Sequence, residues 1–540
     1  MGADQHEHGP VLRTGQLRVR DVWALGVGIV VCGQYFGWNL GLKDNGPVAM
    51  LIASLAVCLL FLAWVLTLSE LAVAMPRAGG PLDYGRRAGG SWLGFLMGWS
   101  MFLECLFGGV ATALAGGKYV AFLIDTEGTP NRYVAVAVGL TIIAAFFLLQ
   151  VRGVKEQARA LVWMTYAALA GLVVFWIAAL THFSWDRVWT APALPADKGW
   201  QAVLDAVPFA LWWLIIIEAA ALAAEEAREP ERTIPRGLTW AILTVVVLVV
   251  LTTVTACGAL PFEQIATKDY PLAEVIRGIP AGQSSLLFYG FGAVALFGLL
   301  ASYHGLLYGS SRQLFALGRD RFLPPALGGV SAERQTPLTA LAVCSLLAAG
   351  LVVANLWFDK AIEAAVLVAG FAALVLYVLS TWSLFRLRRR EPGLLTGYRA
   401  PLGGWLPLCV LVLSVLALAV YPRIDEKGVV VPVALGTYAV GAGAFAVCGR
   451  SRAPALGALT APQPAPGVRR SGHRLHRVAV GALVVALGVI GSVSVAAFGG
   501  PDAFGAASDG AALFVIAVLG VAIVAVSVVE LQLTRAGPRL

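Results

Sequence analysis

Charge is what this chain has least of. Asp, Glu, Lys and Arg make up only 13% of its 540 residues, where a soluble domain carries roughly 25%. That shortfall argues against a string of soluble domains joined by polar linkers. The seven cysteines (Cys32, Cys58, Cys105, Cys257, Cys344, Cys409, Cys448) contain no C-x-x-C pair, so neither a zinc site nor a disulfide framework is expected. Residues 1–20 have no apolar core, and no cleavable signal peptide is expected there. No nucleophile–base pairing, metal-ligand spacing or phosphate loop stands out, so the chain does not read as an enzyme and implies no cofactor or metal. The net charge of +8 is spread through short loops rather than gathered in a patch, which speaks against a nucleic-acid partner.

What is there is apolar. Apolar residues form 59% of the chain, and the mean hydropathy is +0.79. Apolar runs long enough to cross a bilayer recur along the whole length. They fall at about 22–42, 48–74, 91–124, 133–151, 159–180, 202–224, 238–258, 285–309, 338–357, 361–384, 405–421 and 429–448 on a ~20-residue window. Two more follow at about 478–498 and 511–530 by the same measure. Most of the 39 lysines and arginines fall in alternate connections, beginning with the N-terminal segment. The positive-inside rule then puts both termini in the cytoplasm. The expected organisation is a tail at 1–20, a twelve-helix core at 21–448, a basic cytoplasmic linker at 449–477, two accessory helices within 478–533 and a short cytoplasmic end at 534–540. The linker, ending in Arg469, Arg470, Arg474 and Arg477, reads chiefly as a topology anchor near anionic membrane lipid. Arg over Lys and abundant Ala, Gly and Val suggest a bacterial genome, so a bacterial inner membrane is the expected location.

Intact helices leave no backbone group free for a solute, so a carrier needs interrupted ones. The first run holds Gly26, Gly28, Gly33 and Gly37 around a polar Gln34-Tyr35 pair. Close helix packing by small residues is the plainer explanation. The sixth run has Pro208 near its start and Glu218 about a dozen residues on. Interruptions in runs one and six would match in a five-plus-five inverted repeat. Ionisable residues inside apolar runs are costly, at ~2.5–3.5 kcal/mol for an acid near a helix centre. Glu104, Glu218 and His304 are the conspicuous ones, each either a hydrogen-bonded structural group or a contact to a solute or coupling ion. A carboxylate facing a solute would offset the desolvation of an ammonium group. Trp38, Trp99, Trp212, Trp213 and Tyr303 could add cation–π contacts, although most tryptophans are interface anchors or packing. Glu70, Glu225 and Glu226 at helix ends read as gate or loop contacts.

Three stretches carry a family resemblance. The first is Ser69-Glu70-Leu71-Ala72 with Met75-Pro76-Arg77-Ala78-Gly79-Gly80-Pro81 and Tyr84. The second is Glu218 with Ala224-Glu225-Glu226 through Pro235-Arg236. Over about 18–448 the chain resembles the amino acid–polyamine–organocation superfamily. Gly33-Gln34-Tyr35-Phe36-Gly37-Trp38-Asn39 and Ala301-Ser302-Tyr303-His304-Gly305 onward to Ala316 are similar to its ethanolamine permease branch. The resemblance implies an all-α, LeuT-like inverted-repeat transporter with helices one and six unwound at their centres. Its unwound segments match Cys32, Gly33, Gln34 and Tyr35, and Ile215, Ile216, Ile217 and Glu218.

The expected substrate site is Cys32, Gly33, Gln34, Tyr35, Glu104, Trp213, Ile215, Ile216, Glu218 and Tyr303. Glu70, Lys155, His304 and Glu225 are expected in gating or coupling. Ile216 stands where the family usually has a small residue, which should narrow the site or limit the unwinding. Gly108-Gly109 replaces the prolines of the ethanolamine branch. Helix five carries no lysine at 161–180, so H+ and Na+ both stay open as coupling ion. Ion-driven uptake of a small protonated amine such as ethanolamine is the leading expectation. An amino-acid permease or exchanger on the same fold is the alternative, and a non-transporting sensor is a third.

Overall fold

A chain in hydrocarbon must satisfy its backbone polar groups internally, and the computed structural model is helical throughout, with no strand among its described residues. It describes residues 17–448 except 77–78, 125–130, 153, 191, 332–335, 359, 425–427. The linker at 449–477, the accessory helices at 478–533 and the end at 534–540 lie outside the described residues, as does most of the N-terminal tail.

Twelve helices organise the bundle: α1 (Val19–Val30), α2 (Gly46–Ala74), α3 (Ser91–Ile124), α4 (Arg132–Arg152), α5 (Val154–Leu180), α6 (Gln201–Ala210), α7 (Pro230–Ala259), α8 (Ser285–Arg319), α9 (Leu338–Ala354), α10 (Ala361–Arg390), α11 (Trp405–Ile424) and α12 (Val430–Cys448). Among the described residues, ten helical segments are long and apolar enough to cross a membrane, with α6 and the stretch after it counted together as Gln201–Leu222. The first crossing is broken, and α9 is a shorter apolar helix. The chain is a multi-pass membrane protein.

The helices divide into a centre and a rim. α3 packs along α8, α10 and α4, and 89% of its most apolar window is buried, against 33% in α11 and 28% in α12. The sequence gives the reason. α3 carries Gly108, Gly109, Ala111, Ala113, Ala115, Gly116 and Gly117, and small residues let helices approach closely where hydrocarbon offers no hydrophobic drive between them. A Cβ on Gly117 would collide with the Ala135 backbone of α4.

Polar clasps close the bundle on the side where α1 begins. Arg388 at the end of α10 holds Glu70 of α2 at 2.6 Å, and the Ala400 amide donates to the same carboxylate at 2.7 Å. Arg86 and Arg87, on a short helix at Pro81–Gly89, pair with Asp320 at 2.9 Å and Glu391 at 2.6 Å. On the far side Lys118 pairs with Asp269 at 2.6 Å.

Candidate functional site

The first crossing loses its coil at two places. Near Val31 the Ser302 hydroxyl of α8 stands inside the helical ladder. It donates to the Gly28 carbonyl at 3.2 Å and accepts from the Cys32 amide at 3.0 Å. A group inserted into the i→i−4 ladder is a recognised cause of a helix break. One more turn follows at Cys32–Tyr35, and then Phe36 is fully extended and Gly37 takes φ +92°. That φ belongs to glycine's permitted range, and a side chain there would also strike the Trp212 indole. The chain continues as a tight 3₁₀ stretch, Trp38–Leu42. Asn39 fixes it, accepting from the Gly37 amide at 3.1 Å and donating to the Ile265 carbonyl at 2.7 Å and the Lys268 carbonyl at 2.8 Å.

In the sixth crossing α6 tightens at Leu211–Trp213 and then stops. Ile216 has φ 75° and ψ 2°, and a 3₁₀ stretch runs on from Ile217 to Glu226. A β-branched residue in the left-handed region is a genuine outlier, and such strain persists only where surroundings enforce it. Here Glu104 of α3 accepts the Ile216 amide at 3.0 Å. Ile216 therefore does not limit the unwinding: it is the residue at which the helix turns.

The two breaks meet. A Cβ on Gly33 would lie 2.6 Å from the Trp212 carbonyl oxygen, so only glycine allows this approach. Trp38 stacks on Trp213 with centroids 4.9 Å apart, and Phe36 meets Trp212 edge-on at 5.2 Å.

Beside them lie two acids. Glu104 is 0% and Glu218 2% exposed. Their carboxyl groups are within hydrogen-bonding reach of each other, and Glu218 is within reach of Tyr377 of α10 and Trp64 of α2. Yet Glu104 Oε2, both Glu218 oxygens, Trp64 Nε1 and Tyr377 OH complete no well-aligned hydrogen bond among the described residues. Trp64 and Tyr377 pack on each other at 4.4 Å. Two uncompensated acids in a dry setting are costly unless a cation or proton answers them. The arrangement can bind a cation between facing oxygens, beside aromatic rings.

The remaining expected site residues divide. Cys32 and Gln34 border the first break. The Cys32 Sγ accepts from Thr112 at 3.8 Å, while Gln34 Oε1 accepts from Thr252 at 3.0 Å and its Nε2 has no partner among the described residues. Tyr35 is taken up structurally, its hydroxyl donating to the Ala168 carbonyl at 2.6 Å. Trp213 donates to Ser54 at 2.9 Å, and Ile215 is buried next to the turn. Tyr303 and His304 both pack on Phe146 of α4, and Tyr303 OH and His304 Nδ1 have no partner among the described residues. Glu70 belongs to the clasp and not to the break. The side chains of Lys155 and Glu225 lie outside the described residues. Ser302, Trp64 and Tyr377 were not among the expected site residues. Ser302 sits inside the stretch from Ala301 to Ala316. Trp64 and Tyr377 are amphipathic aromatics deep within apolar runs, where the usual interfacial role does not apply.

Residues 18–445 match the family model described as amino acid permease. An uncharacterized transporter of Rhizobium meliloti is 30% identical over 59% of this chain and 68% of its own length. The branched-chain amino acid permease BcaP of Bacillus subtilis is 26% identical over 72% of this chain and 83% of its own. The aromatic amino acid transport protein AroP of Escherichia coli K12 is 22% identical over 81% and 96%.

Proposed function

This chain belongs to the amino acid permease family, and from that premise we propose that it takes up a small protonated amine of the ethanolamine class by alternating access, driven by an ion gradient. The observation that carries the reading is the Glu104 contact to the Ile216 amide. In a broken-helix carrier, freed amides are where a solute carboxylate is gripped. Here three of those amides are engaged by the protein's own groups: Cys32 by Ser302, Gly37 by Asn39 and Ile216 by Glu104. Apart from the Gln34 amide, what remains at the junction is acidic and aromatic, the complement of an ammonium without a carboxylate. Glu104 and Glu218 together answer the ammonium, and the coupling cation, H+ or Na+, enters with it down its own gradient.

Burial supports alternating access. Acids at 0% and 2% exposure are reached only when helices move. The Glu70–Arg388 and Arg86–Asp320 clasps bar one side, and the Asn39 bonds to the 265–268 loop bar the other. In this reading the 21–448 core follows the five-plus-five inverted repeat, the two accessory helices lie apart, and the clasped side is cytoplasmic.

A second reading is an amino-acid permease or exchanger on the same site, favoured by the functions of its relatives BcaP and AroP. It requires Glu104 to leave the Ile216 amide so that a solute carboxylate can replace it. Uptake of radiolabelled ethanolamine into proteoliposomes separates the two, with sodium and proton gradients imposed in turn. Competition by carboxylate-free amines and not by branched-chain or aromatic amino acids is expected. The opposite order of competitors sinks the amine reading and promotes the second.

A further inference from the structure

Where α10 ends and α11 begins, on the clasped side, the surface opens into a groove of 790 Å³. Its walls are Trp382, Arg386 and Arg390 from α10 and Trp405, Leu408 and Leu411 from α11. Arg389 completes a set of three guanidinium groups around it. Their acidic neighbours are committed elsewhere, Glu70 to Arg388 and Glu391 to Arg87. Arg386, Arg389 and Arg390 make no ion pair among the described residues. Arg386 is the most telling. Its guanidinium lies over the Trp382 ring, 5.0 Å from the centroid, while its Nε is buried with no partner among the described residues. A buried charged donor without an acceptor is costly, and a planar fork of donors matches a phosphate in two-pronged fashion.

The apolar half of the groove continues along the bundle. Leu408, Val412, Val415 and Leu416 are exposed on α11 at helical spacing, a stripe running from the arginines toward the membrane middle. Trp382 and Trp405 are exposed at the head of that stripe, where aromatic side chains mark the headgroup level. Unpaired positive charge above a strip of exposed apolar surface is complementary to a phosphodiester headgroup with its acyl chains.

We propose that this groove holds an anionic phospholipid, its phosphate between Arg386, Arg389 and Arg390 and its chains along α11. The site is independent of the transported solute. Arg389 and Arg390 are exposed, so their replacement leaves the packed bundle alone.

The test is native mass spectrometry of the purified full chain titrated with phosphatidylglycerol or phosphatidylcholine micelles, comparing wild type with R389Q/R390Q and with R386Q. Wild type should retain phosphatidylglycerol over phosphatidylcholine, and R389Q/R390Q should lower that preference by roughly tenfold or more, as near-surface basic residues do. R386Q should also lower it, and millimolar inorganic phosphate should not displace the lipid. Equal retention of both lipids by wild type, or an unchanged preference in R389Q/R390Q, overturns the proposal. Displacement by inorganic phosphate alone also overturns it, because the site would then take a free anion.

Discussion

In the first crossing the interruption is made of compliant parts: Gly33 where two backbones touch, Gly37 at φ +92°, and a serine hydroxyl from α8 standing in the ladder. In the sixth it is made of a residue that resists. Ile216 holds φ 75°, and a carboxylate from a third helix keeps its amide satisfied. Glycine costs little in a left-handed turn, whereas for other residues that region costs roughly 1–2 kcal/mol. The first break is therefore encoded where it occurs. The second depends on α3, and Glu104 both shapes the backbone and supplies charge. Under the proposed function, a group with both duties would tie the conformation of the sixth crossing to the cation beside it.

The largest expected effect comes from separating those duties. Glu104→Gln keeps an oxygen for the Ile216 amide and removes the charge. Glu104→Leu removes both. Each should lose uptake by more than about tenfold, since a hydrogen bond to a charged group is worth ~1.5–3 kcal/mol. Only Glu104→Leu should also lower stability, by ~1–3 kcal/mol for the orphaned buried amide. Thermal unfolding of the purified variants in detergent, measured beside proteoliposome uptake, checks both. If the two unfold alike, the acid does not hold the turn and the contrast between the crossings fails.

Gly33→Ala comes next. Its Cβ would stand 2.6 Å from the Trp212 carbonyl and 3.1 Å from the Trp213 Cα, and backbone cannot yield as a side-chain tip does. Overpacking of this kind costs ~1–3 kcal/mol. Uptake should fall along with the melting temperature. Gly46→Ala is the control for left-handed strain alone, because Gly46 has φ +76° with nothing near its Cβ position, and it should leave uptake intact.

These contrasts bear on how much could be read from residues alone. The membrane class followed from low charge and repeated apolar runs, because hydrocarbon forces helices upon any such chain. The glycines of the first crossing and the isolated acids Glu104 and Glu218 were legible for the same reason, each being costly or weak in a plain helix. The turn at Ile216 was not. Isoleucine carries no local sign of a left-handed backbone, and its cause lies 112 positions away in α3. Trp64 and Tyr377 were hidden similarly, for an aromatic in an apolar run looks like packing until a second helix brings an acid to it. Tyr35 drew notice as a polar residue amid glycines, and no local pattern pointed to the bond its hydroxyl makes to the Ala168 carbonyl of α5.

A third experiment asks whether the strain at Ile216 is real, by sign and not by size. Ile216→Ala and Ile216→Gly discard nearly the same buried side chain. In an ordinary helix interior the alanine variant would be the more stable by ~1 kcal/mol. At φ 75° the order reverses, and the glycine variant should be the more stable by ~1 kcal/mol. Comparing unfolding midpoints of the two decides it, and an alanine advantage would show that the residue is helical in the working protein.

The smallest effect belongs to the first crossing. Ser302→Ala takes away a hydroxyl that bridges the Gly28 carbonyl and the Cys32 amide. Those two groups are natural partners in an unbroken helix, so with the hydroxyl gone they can bond each other and nothing is left orphaned. Stability should change by no more than about 1 kcal/mol, the net worth of an ordinary hydrogen bond. Healing the ladder straightens the crossing at the level where its amides would turn toward the solute, so uptake should drop by about two- to tenfold, the equivalent of ~0.5–1.5 kcal/mol. Ser302→Thr keeps the hydroxyl and should restore most of that loss. The asymmetry is then complete: removing the intruder from the first crossing lets a helix mend, whereas removing Glu104 from the sixth leaves a strained turn with nothing to hold it.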